Sequence, residues 1–190
     1  MLTDILSLLL EACAGFFGYL LLLRFLLQWR RVSFANPLAE LTMRTTNWVV
    51  LPLRRVLPGL LGLDLASLVP AWLLQVLAKY IQLLFKAASL GAAPFLAVPA
   101  LVLGVFEVLH MGVMILVVAM LLQAVLSWVN PYSPLSAPVA ALTDPLLRPI
   151  RRVLPPIANF DLSPLVALLI AQVVFILLAY AKAAVMPLVF

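Results

Sequence analysis

Four long apolar stretches dominate the sequence and decide what the chain can fold into. They cover residues 5–29, 65–85, 99–128 and 163–188 and contain few charged side chains. A helix of about 20 mostly apolar residues crosses a bilayer, whereas an isolated strand would leave its backbone groups unpaired in hydrocarbon. With 66% hydrophobic residues among 190, the chain is too short to bury this surface in a soluble core. We therefore predict an all-α membrane protein with four transmembrane helices.

The basic residues are concentrated in two loops. Eight of the twelve Lys and Arg residues follow the first or the third apolar stretch, whereas the amino terminus and residues 89–98 contain none. Loops rich in Lys and Arg stay on the cytoplasmic side, so we predict both basic loops inside and both termini outside. This orientation signal, with contact to anionic lipid headgroups, accounts for the net charge of +5 without a nucleic-acid partner. The eight residues are Arg30, Arg31, Arg44, Arg54, Arg55, Arg148, Arg151 and Arg152.

The chain also contains an internal repeat. Residues 36–76 align without a gap with residues 133–173, with 15 identities. Many of these identities are charged residues or prolines, so shared hydrophobicity does not explain them. The run Arg-Arg-Val-Leu-Pro at 54–58, for example, returns at 151–155. We predict two repeats, over 1–90 and 91–190, each consisting of a span, a basic loop and a second span.

An even number of crossings in each repeat has a topological consequence. Both repeats must insert in the same orientation, as in membrane proteins with parallel repeats. We therefore expect a pseudo-two-fold axis along the membrane normal and a compact four-helix bundle with related helices facing each other across it.

Each basic loop is predicted to contain a short amphipathic helix at the inner membrane surface. Asp144 before Pro145, and Asn47 in the first repeat, are typical of a helix start. Apolar side chains would contact lipid tails while the arginines reach headgroups. A re-entrant hairpin is the alternative. The prolines expected to kink and then end these helices are Pro52, Pro58, Pro149 and Pro155.

The second loop carries a motif that resembles the signature of the YggT (YlmG) family. It reads Thr-Asp-Pro-Leu-Leu-Arg-Pro-Ile-Arg-Arg-Val-Leu-Pro at 143–155 and Phe-Asp-Leu-Ser-Pro at 160–164. The first loop matches less fully, because Asn47-Trp48 and Ala66-Ser67 replace Asp-Pro and Ser-Pro. The resemblance covers essentially the whole chain. The matching positions, expected to contact lipid or a partner, are Pro52, Arg54, Arg55, Asp64, Asp144, Pro149, Arg151, Arg152 and Asp161.

The resemblance implies a bacterial inner-membrane protein with two such repeats. It also implies links to osmotic or ion stress, to division and nucleoid distribution, and in plastids to haem attachment during cytochrome b6f assembly. No single biochemical activity follows from it. The resemblance therefore predicts the architecture in more detail than the mechanism.

Several polar residues lie within the predicted spans, where a charge at the centre costs about 2.5–3.5 kcal/mol. At a rise of about 1.5 Å per residue, Glu11, Glu107 and His110 fall near the outer interface and Lys79 lies deeper. We expect contacts between Lys79 and either glutamate, or between Glu11 and His110. Such a group could line a polar path or simply join helices. Arg24 lies near the cytoplasmic end of its span and is expected to snorkel.

Gln75 and Gln172 occupy equivalent positions near the predicted midplane. Interhelical hydrogen bonds from such residues contribute roughly 0.6 kcal/mol on average, which fits a structural role. A symmetric pair lining a pore is the alternative.

The sequence provides no catalytic constellation. One His and one Cys are too few for the usual metal sites, and neither a phosphate-binding loop nor a nucleophile elbow is present. Asp64 and Asp161 each precede a span and are expected to cap it and pair with nearby arginines. We predict no cofactor and no enzymatic activity. The favoured function is a membrane scaffold or assembly factor with a membrane-protein partner or a homo-oligomeric form; the alternative is a small ion channel or transporter.

Overall fold

The computed structural model describes residues 2–33, 35–57, 59, 62–90, 96–154 and 161–189. Four of its helices are long and apolar enough to span a membrane, which confirms the predicted fold class. Two shorter helices lie in the basic loops. In chain order the helices are α1 (Leu2–Trp29), α2 (Pro37–Leu53), α3 (Leu65–Leu90), α4 (Ala97–Val129), α5 (Ser136–Val153) and α6 (Ser163–Val189).

The loop helices begin earlier than the sequence motif suggested. Helix α2 starts at Pro37, and the Oδ1 atom of Asn36 accepts a hydrogen bond of 2.9 Å from the Ala39 N–H. The predicted starts at Asn47 and Asp144 are wrong, because both residues lie in the middle of a helix. The Asn-Pro pair at 36–37 supplies both a cap and a proline at the first helical position.

The prolines that recur in both loops therefore lie nearer the ends of their helices than predicted. Pro52 is in the last turn of α2, and Pro149 lies four residues before the end of α5. A proline near the end of a helix disturbs few backbone hydrogen bonds. Pro58 and Pro155, which were expected to end the helices, lie outside the described residues.

The six helices pack as two sets of three joined through α4. Helix α1 packs on α2 and α3, and α4 packs on α5 and α6, so each repeat forms a similar unit. Leu27 of α1, Ala39 of α2, Ala119 of α4 and Val139 of α5 share one buried cluster between the two units. The predicted repeat boundary after residue 90 adjoins residues outside the described part.

The expected four-helix bundle, in which related helices face each other across the axis, needs correction. Helix α3 packs extensively on α4, but the described residues of α6 make no comparable contact with α1 or α3. Under a full two-fold relation, the contact of α3 with α4 would be matched by one between α6 and α1. Instead α6 lies at the edge of the structure.

Gly104 allows the close contact on the side of α3 and α4. A Cβ atom on Gly104 would lie 2.5 Å from Cγ2 of Val76, so α3 approaches α4 closely only because the side chain is absent. When the two Trp residues near the ends of α1 and α4 are aligned, Ile5 is the counterpart of Gly104. Ile5 is exposed, and so is Val173 of α6, the counterpart of Val76. The larger side chain of Ile5 is incompatible with an equally close contact at the equivalent position of α1.

We expect Gly104→Ala to lower the free energy of unfolding by about 1–3 kcal/mol, because the new methyl group overpacks the contact between α3 and α4. The matched control is Gly15→Ala in α1, where an added Cβ meets nothing within 4 Å. That change should raise the free energy of unfolding by roughly 0.5–1 kcal/mol. Equilibrium unfolding in mixed detergent micelles measures both. A Gly104→Ala protein as stable as the wild type would contradict this account of the packing.

Candidate functional site

The first candidate site is the turn from α2 into α3, which we call the first elbow (Arg54, Arg55 and Asp64). The Nη2 atom of Arg54 lies 2.8 Å from Oδ2 of Asp64 and donates a second hydrogen bond of 2.6 Å to Gln28 of α1. The Asp64 side chain is only 4% exposed. Its Oδ2 atom also accepts a hydrogen bond of 2.6 Å from the Ser67 hydroxyl. The ion pair therefore joins the end of α2 to the start of α3 and to α1.

The second elbow (Arg151, Arg152 and Asp161) repeats this arrangement between α5 and α6. Nη2 of Arg151 lies 2.8 Å from Oδ2 of Asp161, whose Oδ1 atom accepts a hydrogen bond of 2.9 Å from the Ser163 N–H. Asp161 therefore caps α6 and pairs with arginine, as the sequence predicted. Burial raises the pKa of Asp161, but hydrogen bonds from Ser163 and Arg151 and the charge of Arg151 outweigh it, so the pKa lies below its ordinary value.

The other arginine of each elbow has a different environment. Arg55 and Arg152 are both exposed, and neither forms an ion pair with any described residue. In each elbow, the first arginine thus pairs with the aspartate of the same elbow, and the second arginine is exposed at the protein surface. Pro52 and Pro149, one turn or less before them, are also exposed.

Asp144 and its first-repeat counterpart Asn47 support the elbows in different ways. Asp144 lies 2.9 Å from Arg148 and 3.6 Å from Arg151, which extends the ion-pair network of the second elbow. Asn47 instead accepts a hydrogen bond of 2.9 Å from Arg24 of α1.

Arg24 is a structural residue, and its predicted snorkelling is wrong. Its side chain does not reach out to the membrane surface: the residue is 2% exposed and donates a hydrogen bond of 2.8 Å to the Thr46 hydroxyl. Its counterpart in α4 is Gln123, which accepts a hydrogen bond from Thr143, the counterpart of Thr46. The repeat alignment, which places a polar residue at both positions, is the sequence signal that could have revealed this contact.

A second polar group joins the spans in the opposite half of the membrane. The Lys79 ammonium lies 3.4 Å from Glu11 of α1 and 3.5 Å from Glu107 of α4, and its side chain is 14% exposed. The predicted contact of Lys79 therefore forms with both glutamates. The alternative contact between Glu11 and His110 is not observed, because the His110 ring packs against Phe175 of α6 with centroids 4.8 Å apart.

The two glutamines do not form a symmetric pair. Gln75 is buried and donates a hydrogen bond of 2.9 Å to the carbonyl of Ala14, passing over Gly18, where any side chain would collide with its amide. The counterpart of Gly18 in α4 is Val117. Gln172 is exposed on α6. The geometry of Gln75 fits the predicted clasp between helices, and the pore-lining alternative would require Gln172 to face inward.

The described part of the chain lacks the ligand sets that metal ions require. No group of three or more His, Cys, Asp or Glu residues there could hold a metal ion. The acidic side chains at the elbows are occupied by arginine, and those near Lys79 are occupied by its ammonium. The polar contacts described above are thus ion pairs and hydrogen bonds, most of which join different helices.

These features define a multi-pass membrane protein built from two units, each with an ion-paired elbow between its spans. The family model described as CCB3/YggT matches residues 3–85 and 102–181. The chain belongs to the CCB3/YggT family.

Several bacterial relatives support this assignment. The chain is 34% identical over 170 residues to the uncharacterized protein YggT of Escherichia coli K12, an alignment that covers 89% of this chain and 86% of the relative. An uncharacterized protein of Pseudomonas aeruginosa is 33% identical over 87% of this chain and 83% of its own length. One from Vibrio alginolyticus is 35% identical over 84% of this chain and 85% of its own length. No solved structure matches the chain.

We expect Arg54→Gln to destabilise the protein more than Arg151→Gln. The first change leaves the buried Asp64 carboxylate without its cation, which costs about 2–3 kcal/mol. The second leaves Asp161, whose side chain is 34% exposed and can be hydrated, so the cost is about 1 kcal/mol or less. Equilibrium unfolding of both variants in the same micelles measures the difference. Equal destabilisation would show that burial of the carboxylate does not decide the strength of the pair.

Proposed function

We propose that the chain is a non-enzymatic scaffold or assembly factor of the bacterial inner membrane. The observation that carries the proposal is the division of roles within each elbow. Arg54 and Arg151 hold the turn through Asp64 and Asp161, which leaves the neighbouring arginine exposed at equivalent positions of both repeats. A turn that is held by an ion pair and carries an exposed cation is suited to binding an anionic partner rather than to catalysis.

The distribution of charge supports a cytoplasmic position for the elbows. Both basic loops carry the residues that orient membrane proteins, so the elbows would face the cell interior and both termini the outside. There, Arg55 and Arg152 would contact anionic headgroups and an acidic surface of a partner complex. The amphipathic loop helices would lie at the inner membrane surface.

The outer face of α6 supports a membrane-protein partner or a homo-oligomeric form. Helix α6 packs only on α4 and α5 to any extent among the described residues, and Leu169, Val173 and Tyr180 are exposed along it. Gln172 lies on the same exposed surface, near the middle of the span. An amide facing hydrocarbon lacks hydrogen-bond partners, and a neighbouring transmembrane helix would supply them.

Family membership agrees with a role in membrane homeostasis or complex assembly. The links to osmotic or ion stress and to division belong to the resemblance rather than to any single site of this chain. A scaffold could take part in each of these processes by holding different membrane complexes near the elbows. The acidic side chains at the elbows and beside Lys79 are occupied in ion pairs, which supports a role without catalysis.

We expect Arg55→Gln/Arg152→Gln to reduce recovery of a crosslinked partner from native membranes by at least about tenfold, since each arginine near an anionic surface contributes about 1 kcal/mol. The control, Lys86→Gln/Lys182→Gln, removes the same charge from the opposite ends of α3 and α6 and should leave recovery unchanged. Crosslinking followed by affinity capture measures recovery. No partner with the wild type, or equal recovery with the arginine variant, would contradict the scaffold.

A small ion channel or transporter is the second candidate, favoured by the three charged residues that meet within the spans. Lys79, Glu11 and Glu107 join α1, α3 and α4 in the outer half of the protein. A groove of about 240 Å³ beside them is lined partly by Glu107, His110 and Lys182. Such groups could attract an ion to one mouth of a path.

For this candidate, liposomes containing the protein should pass ions, and Lys79→Leu should change the flux at least about tenfold. The substitution removes the cation and leaves two carboxylates facing the path. Lys86→Leu, on the same helix but nearer its end, is the control and should leave the flux unchanged. A stably folded protein without flux would eliminate the channel.

A further inference from the structure

An apolar groove of about 580 Å³ opens in the second repeat, between α4, α5 and α6. It extends from Val113, near the middle of α4, to Leu154 at the end of α5, and so reaches from the membrane interior to the second elbow. Its size lies in the range of about 300–1,000 Å³ that is common for small-molecule sites. All the residues that line it are apolar.

The equivalent place in the first repeat is largely filled. A groove of about 170 Å³ remains there, lined partly by Phe17, Trp48, Pro70 and Leu74. The rings of Phe17 and Trp48 pack edge to face with centroids 6.3 Å apart. The repeat alignment places smaller residues at these four positions in the second repeat: Leu116, Pro145, Ala167 and Ala171. The large groove therefore results from specific residue differences between two otherwise similar units.

The cytoplasmic end of the groove has a cationic rim. Arg148 and Arg152 are exposed, and because they are four residues apart they share one face of α5. Arg148 is also paired with Asp144 at 2.9 Å, so Arg152 supplies the unpaired charge of this rim among the described residues. Pro149 and Val153, which follow them directly, line the groove. Arg151 points elsewhere, to Asp161. The site thus combines an apolar cleft at membrane depth with positive charge where headgroups lie.

We propose that this groove holds an acyl chain of an anionic phospholipid, whose phosphate contacts Arg152 and Arg148. The inference rests on the part of the proposed function that places the elbows at the cytoplasmic headgroups. Hydrocarbon gains little by moving from lipid to a protein groove, since both are apolar. Selection between lipids therefore comes from charge at the rim, while the shape of the groove fixes the chain.

The lipid class is tested by native mass spectrometry of the full chain released from micelles containing phosphatidylglycerol and phosphatidylcholine. The wild type should retain phosphatidylglycerol in preference to phosphatidylcholine. Arg152→Gln should reduce that preference about fivefold, the effect of one arginine near an anionic headgroup. Arg55→Gln removes the equivalent charge beside the filled groove, where no acyl chain is held, and should reduce the preference much less than Arg152→Gln. Equal retention of the two lipids, or equal effects of the two substitutions, would overturn the proposal.

The groove itself is tested by Leu116→Phe/Pro145→Trp, which introduces the aromatic pair of the first repeat. Both positions are at least partly exposed, so the change fills the groove without entering the buried core. Retention should fall at least about tenfold, and unchanged retention would overturn the assignment. This variant keeps Arg55 and Arg152, so partner capture should persist. If this variant loses lipid retention but still captures the partner, the lipid site and the scaffold function are separate. If the wild type retains the lipid but captures no partner, the scaffold proposal alone is contradicted.

Discussion

An ion pair between arginine and aspartate holds each turn of this protein where the chain leaves the membrane surface and enters the next span. A carboxylate in the place of Asp64, which is 4% exposed, is costly unless a cation and hydrogen bonds compensate it. Arg54 and Ser67 supply both. The direction of α3 relative to α2 depends on this compensation, and so does the availability of the neighbouring Arg55. A paired arginine and an exposed arginine are thus adjacent in the chain, and the second repeat has the same arrangement.

Duplication has produced two units that share the elbow but differ in how tightly their spans pack. In the first unit, Gly18 lets Gln75 reach the backbone of α1, and Phe17 and Trp48 fill the space beside α2. In the second unit, Val117 replaces the glycine and Gln172 faces outward. The first unit is therefore the more closely packed, while the second has an open groove and an exposed amide. These surfaces on α5 and α6 could be used by lipid and by neighbouring helices without disturbing the first unit.

The membrane spans and the two repeats could be predicted because the sequence patterns that indicate them are local or occur twice. Apolar length defines the spans, and the identities around Arg54 and Arg151 reveal the repeat from the order of residues alone. The start of α2 was missed because Asn47 and Asn36 are both acceptable caps, and only the packing of the upstream turns against α1 decides between them. Arg24 was misplaced for a similar reason, since its partners Thr46 and Asn47 approach it only after α2 has docked. The orientation of Gln172 likewise depends on close helix contacts that depth along the span does not reveal.

The contact of α3 with α4 has no counterpart between α1 and α6 among the described residues. This difference has a consequence for how copies of the chain can associate. An interface between two unlike surfaces can add copies without limit if both surfaces stay available. Here the first helix carries Ile5 where the close contact needs a glycine, so an incoming copy cannot repeat the approach made at Gly104. A single branched side chain at this position is therefore incompatible with an equally close contact to α6 of another copy. The exposed surface of α6 is thus unsuited to an open-ended row of copies built on that close contact.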